Sequence, residues 1–128
     1  MTGRPRMSLL ETVIVALAVA AACAIPAGGV EPSPGQAHEV VVDVPPGEGL
    51  TFEPEAIAAP AASLLRVTLR NRSNEAHNLT FQAPIAAETR TIVEAGAEDS
   101  VTFVTPGPGG YTFVCTIHIG MSGTLTIE

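Results

Sequence analysis

The sequence predicts an all-β fold, an antiparallel β-sandwich of about eight strands, on three observations. Short stretches alternate apolar and polar residues with a period of two, and clusters of turn residues separate them. Ten of the 11 prolines lie beyond the first 23 residues, too many for long helices. No segment of the C-terminal two thirds carries a sustained helical stripe. About 90 residues of such a domain enclose one modest core.

The elements follow in order. The first strand is expected at His38–Val44, with Val40, Val42 and Val44 on one face and Val41 and Asp43 on the other. Pro45-Pro46-Gly47 ends it, and a brief strand is expected over 50–52. The one helix candidate is 53–62, which Pro54 and Pro60 restrict to a single turn. Leu64–Asn71 alternates cleanly, with Leu65, Val67 and Leu69 inward and Arg66, Thr68 and Arg70 outward. Short strands are expected over 78–81 and 91–93, with Pro84 breaking the loop between them. The segment 100–104 places Val101 and Phe103 on one face. A turn at Pro106-Gly107-Pro108-Gly109-Gly110 then leads to strands over 111–115 and 124–128.

The N-terminus has a different character. Residues 1–8 carry Arg4 and Arg6 and no acid, and a fourteen-residue apolar run, TVIVALAVAAACAI, spans 12–25. That length suits the core of a signal peptide better than a membrane span. Residues 1–23 are therefore read as an export leader, 24–36 as a flexible Pro/Gly linker and 37–128 as the folded domain. Ala20-Ala21-Ala22-Cys23 resembles a bacterial lipobox, with Ala20 where leucine is usual. Three outcomes stay open: a lipid anchor on Cys23, a cleaved soluble form, and an uncleaved apolar anchor. The expected location is periplasmic or at the cell surface. Beyond residue 22 the chain holds 12 acids, four arginines and no lysine, formally −8. Such a surface is unsuited to nucleic acid, where phosphate contacts need clustered cations.

Chemistry concentrates near the C-terminus. Cys115-Thr116-Ile117-His118-Ile119-Gly120-Met121 spaces a thiol, an imidazole and a thioether by threes. In a tight loop those donors can meet at one point, and a soft thiolate and thioether beside an imidazole suit copper. Zinc also takes Cys and His, but a thioether adds nothing to it. With three histidines in the chain, His77 is the best fourth donor, and His38 lacks ligand spacing. Cys115 has no cysteine partner within the folded domain, so a bound metal would occupy an otherwise unprotected thiol. Taken singly, these residues would be read as core or surface. Their joint spacing, ahead of a final strand, is what points to a metal.

The segment YTFVCTIHIGMSGTLTIE resembles the C-terminal signature of the cupredoxins, small blue copper proteins of the plastocyanin and amicyanin kind. Its C-x2-H-x2-M spacing is similar to the short loop of the amicyanin type, and Glu75-Ala76-His77-Asn78-Leu79 resembles the region of the first histidine ligand. The resemblance implies a Greek-key sandwich and one type 1 copper ion. Cys115, His77 and His118 would lie in the ligand plane, and Met121 would be the weak axial ligand. It also implies that Asn78 ties the two ligand loops together near Thr116. His118 would lie in an apolar docking patch, built here from Ile117, Ile119 and Pro84. Val114 stands where some relatives carry a docking tyrosine, so that route is not expected. The function implied is one-electron transport by a monomer meeting redox proteins transiently, not enzymatic turnover, since four protein ligands leave no open position for a substrate. The alternative is copper binding for delivery or buffering.

Overall fold

A computed structural model describes residues 35–128. The leader, Cys23 and most of the linker lie outside the described residues. Eight strands run in order: β1 (His38–Val44), β2 (Ala56–Ala59), β3 (Leu64–Asn71), β4 (Thr80–Phe81), β5 (Ala87–Glu88), β6 (Glu98–Val104), β7 (Gly109–Val114) and β8 (Ser122–Ile127). They form a three-stranded sheet, β1-β3-β6, and a five-stranded sheet, β2-β8-β7-β4-β5. There is no helix among the described residues.

The period of two places the core as expected. Val42, Val44, Leu65, Val67 and Leu69 are fully buried on one sheet, and Phe81, Phe113 and Leu125 on the other. Phe81 meets Phe103 across the two sheets at 4.8 Å, and Phe113 meets Phe81 within its own sheet at 5.5 Å and Phe52 at 5.2 Å. Tilted pairs at these separations add to what burial alone contributes.

The sandwich is mixed in strand direction. β1 pairs parallel to β3 and β2 parallel to β8, while β3·β6, β7·β8, β4·β7 and β4·β5 are antiparallel. Both parallel pairs join strands that are not linked by a hairpin, and hairpins are what local turn signals reveal. The β1·β3 register sets Asp43 beside Arg70, whose guanidinium donates to both carboxylate oxygens at 2.7 and 2.9 Å. That bond holds the Asp43 carboxyl below its ordinary range.

Four local expectations are corrected. The helix candidate contains β2, an edge strand on β8 with Ile57 and Ala59 inward. Prolines at both ends deny its alanines a helix, and pairing along β8 satisfies the backbone instead. Residues 50–52 form no strand; Phe52 is buried and Asp43 bridges Glu53. Residues 91–93 contribute only one bridge, His77 to Val93, and the short strand lies earlier, at Ala87–Glu88. Gly109 and Gly110, read as turn residues, open β7 against Ile127 and Thr126.

β8 begins at a tight crossing. Gly123 pairs with Phe113, and a Cβ there would overlap the Phe113 ring and the Glu55 carbonyl oxygen. Gly123→Ala should therefore cost about 1–3 kcal/mol through overpacking. Urea unfolding of the two proteins measures this, and equal midpoints would refute it.

Candidate metal centre

Two segments build the site. The first follows β3, where a buried amide organises the turn before His77. Asn71 Oδ1 accepts from Ser73 N and Oγ at 3.1 and 2.7 Å, and Asn71 Nδ2 donates to the carbonyls of Glu75 and Val93 at 2.7 and 2.9 Å. His77 then pairs with Val93 through both backbone groups, at 3.1 and 2.8 Å. Its imidazole is fully buried. Asn and Ser side chains mimic backbone partners in this way, which lets a loop run through the interior.

The second segment is the Cys115–Met121 loop between β7 and β8. Cys115 N donates to Met121 O at 3.0 Å, closing the loop at its base. Gly120 has φ of 87°, a left-handed turn that glycine makes without a side-chain clash. Tyr111, Phe113 and Cys115 share one side of β7, so the thiol enters the interior, where Cys115 is 4 % exposed. Met121 is 2 % exposed, and its backbone N donates to His118 O at 3.4 Å.

The donors meet. Nδ1 of His77 lies 3.8 Å from Cys115 Sγ, and Nδ1 of His118 lies 3.7 Å from the same sulfur. The two rings are 4.5 Å apart between centroids. Two ring nitrogens thus face one buried sulfur at nearly equal distances. A cation between them satisfies all three. Sulfur and nitrogen around one ion at about 120°, with bonds of roughly 2.3 and 2.0 Å, lie about 3.7 Å apart. The observed separations therefore fit a shared metal. Burial pushes the His77 imidazole below its ordinary pKa, His118 adds to this, and Glu75 opposes it. A neutral imidazole is the form a metal binds.

A side-chain bridge locks the two segments in register. Asn78 Oδ1 accepts from Thr116 N at 2.8 Å, while Nδ2 donates to Thr116 Oγ1 at 2.7 Å and to Thr91 O at 2.9 Å. Ile117 and Ile119 are exposed, Ile119 completely, on either side of His118. Pro84 is not part of that surface by strand direction. β4 leaves Thr80 opposite Val114, and Gln82 N already bonds Thr112 O, so the chain runs away from the loop before Pro84. His38 is exposed on β1.

Sequence reasoning gave no role to Asn71, Ser73 or Glu75. The polar run Asn71-Arg72-Ser73-Asn74-Glu75 directly ahead of His77 was the available signal, because such residues bond their own backbone in turns. Glu75 accepts from His118 Nε2 at 2.9 Å.

Among the described residues, fold and donor set together define a small β-sandwich with one Cys/His cluster able to hold a metal, beside the loop that joins its last two strands. Residues 13–127 match the Cupredoxin-like domain family. The chain is 33 % identical over 86 residues to plastocyanin of Prochlorothrix hollandica, covering 60 % of this chain and 63 % of that one. It is 44 % identical over 48 residues to auracyanin-B of Chloroflexus aurantiacus, covering 34 % and 20 %. It thus spans less than two thirds of the length of either relative. The solved structure of auracyanin B superimposes with a TM-score of 0.63 at 26 % identity, over 70 % of this chain and 88 % of that chain. Auracyanin A of Chloroflexus aurantiacus, described as a blue copper protein, shares the fold at 18 % identity, with a TM-score of 0.63 over 73 % of this chain and all of that one. This chain belongs to the cupredoxin family. The residues present fit one copper ion, because sulfur joins the imidazoles in the donor set.

The Asn78 bridge carries a prediction. Asn78→Ala leaves Thr116 N and Thr91 O without their partner and should cost about 1–3 kcal/mol of stability. Chemical unfolding of the metal-free protein checks it; an unchanged free energy would show that the bridge contributes nothing.

Proposed function

We propose that this protein is a one-electron carrier whose type 1 copper would be held by His77, Cys115, His118 and Met121. Bound there, copper supplies a Cu(II)/Cu(I) couple. The observation that carries the reading is the placement of two Nδ1 atoms at 3.7 and 3.8 Å from one buried thiol. Three protein donors plus a buried methionine on the same loop leave no position for a substrate, which favours electron passage over bond chemistry. The chain's own work is to hold the ligands still. The loop closed at Cys115 and Met121 and the Asn78 bridge keep the donors from relaxing as charge changes.

His118 is the proposed route for the electron. Its side chain is 20 % exposed, whereas His77 has no exposed surface. The isoleucines beside it offer a small apolar contact of the kind that suits brief redox encounters with partner proteins. The N-terminal sequence supports an exported or membrane-anchored protein, with Cys23 as the candidate lipid attachment point.

Adding Cu(II) to the purified protein should give an intense blue band and a type 1 EPR signal, both lost in Cys115→Ser. A colourless wild-type protein would sink the reading. Reversible reduction with the metal retained separates a carrier from a delivery protein, which would exchange its copper readily. Placing a charge in the patch, Ile119→Glu, should lower the electron self-exchange rate about tenfold and leave the blue band intact. An unchanged rate would remove this face from the pathway.

A further inference from the structure

The two imidazoles are held in different ways. Nε2 of His77 is buried without a hydrogen-bond partner, so that ring is oriented by packing and by the Val93 bridge. Nε2 of His118 meets Glu75 Oε2 at 2.9 Å, a separation typical of a charge-assisted bond. With Nδ1 turned toward Cys115 Sγ, the ring proton belongs on Nε2 and is donated to the carboxylate.

Glu75 is anchored by its backbone despite its exposed side chain. Its carbonyl accepts from Asn71 Nδ2 at 2.7 Å and from Ser73 Oγ at 3.1 Å, and its N–H donates to Ser73 Oγ at 3.2 Å. Asn71 and Ser73 are 1 % and 4 % exposed. The same Asn71 amide also reaches Val93 O, the atom that receives the His77 N–H. One buried side chain therefore supports the backbone beneath His77 and beneath the carboxylate that meets His118.

We propose that Glu75 is a positioning residue for the copper centre: it fixes the orientation and tautomer of His118 and lowers the reduction potential. This rests on the carrier reading above. A carboxylate that accepts the outer N–H of a ligating histidine makes the imidazole a stronger donor, and its removal typically costs 10–100-fold in metal affinity. The added negative charge stabilises Cu(II) more than Cu(I), because the attraction scales with the charge on the ion. Both effects act in the same direction.

The test uses the full-length copper protein as wild type, Glu75→Ala, Glu75→Gln and, as a control for general charge loss, Glu39→Gln on the exposed start of β1. In redox titrations followed by the blue band, Glu75→Ala should shift the Cu(II)/Cu(I) preference toward Cu(I) by about tenfold, which is 59 mV for one electron. Glu75→Gln keeps an oxygen acceptor without the charge and should shift it less, while Glu39→Gln should move it least. In copper-free protein, nitrogen NMR should find the His118 proton on Nε2 in wild type, and a mixture of tautomers in Glu75→Ala. A blue wild type whose potential moves no more with Glu75→Ala than with Glu39→Gln overturns the role of Glu75 alone. A wild type that takes up no copper ends the carrier reading and this proposal with it.

Discussion

Asn78 couples two stretches of chain that are far apart in sequence, and the metal centre depends on that coupling. Its amide reaches both the backbone and the hydroxyl of Thr116, one residue after the thiol, and it follows directly after His77. His77 is therefore placed relative to Cys115 by a short connection from the buried Asn78 amide to Thr116. A buried amide with its partners in place resists movement, because any displacement leaves polar atoms unpaired. The Cys115–Met121 loop is closed independently at its base, so the whole donor set rests on two fastened edges.

Around that frame the protein treats its ligands unequally. His77 lies inside, held by β-bridge geometry and packing. His118 reaches the surface, where Glu75 and two isoleucines surround it. The contrast has a physical logic for a carrier: an interior ligand can be immobilised by the core, but a ligand at the surface needs a dedicated partner. The polar turn from Asn71 to Glu75 supplies one, and it does so without adding a strand or a helix. The acidic character of the chain is thus expressed locally, at the edge of the ring that the proposed electron route uses.

Much of the fold was legible because alternation reports burial directly. The bounds of β1 and β3 and their inward faces agree with the sequence reading, as do Phe113 and Cys115 on one side of β7. What failed was whatever depended on a partner far along the chain. Residues 56–59 look like a fragment of helix until β8 is there to pair with them. Residues 91–93 alternate like a strand, yet only Val93 finds a backbone partner, in His77. Pro84 follows His77 by only seven residues, but the direction of β4 takes it out of the patch.

The amino-acid sequence by itself determined the class of fold, the inward faces of the long strands and the identity of the candidate donors. Those properties follow from side-chain periodicity and from donor chemistry, which are local. Only the tertiary structure decided that the donors share one point, that Asn71 supports the turn ahead of His77, and that a carboxylate sits on the outer nitrogen of His118. Each of these is a distance between groups separated by a turn, a strand or half the domain. Such distances are set by how the sheets stack and by which buried polar groups must find partners, and no periodicity along the chain encodes them.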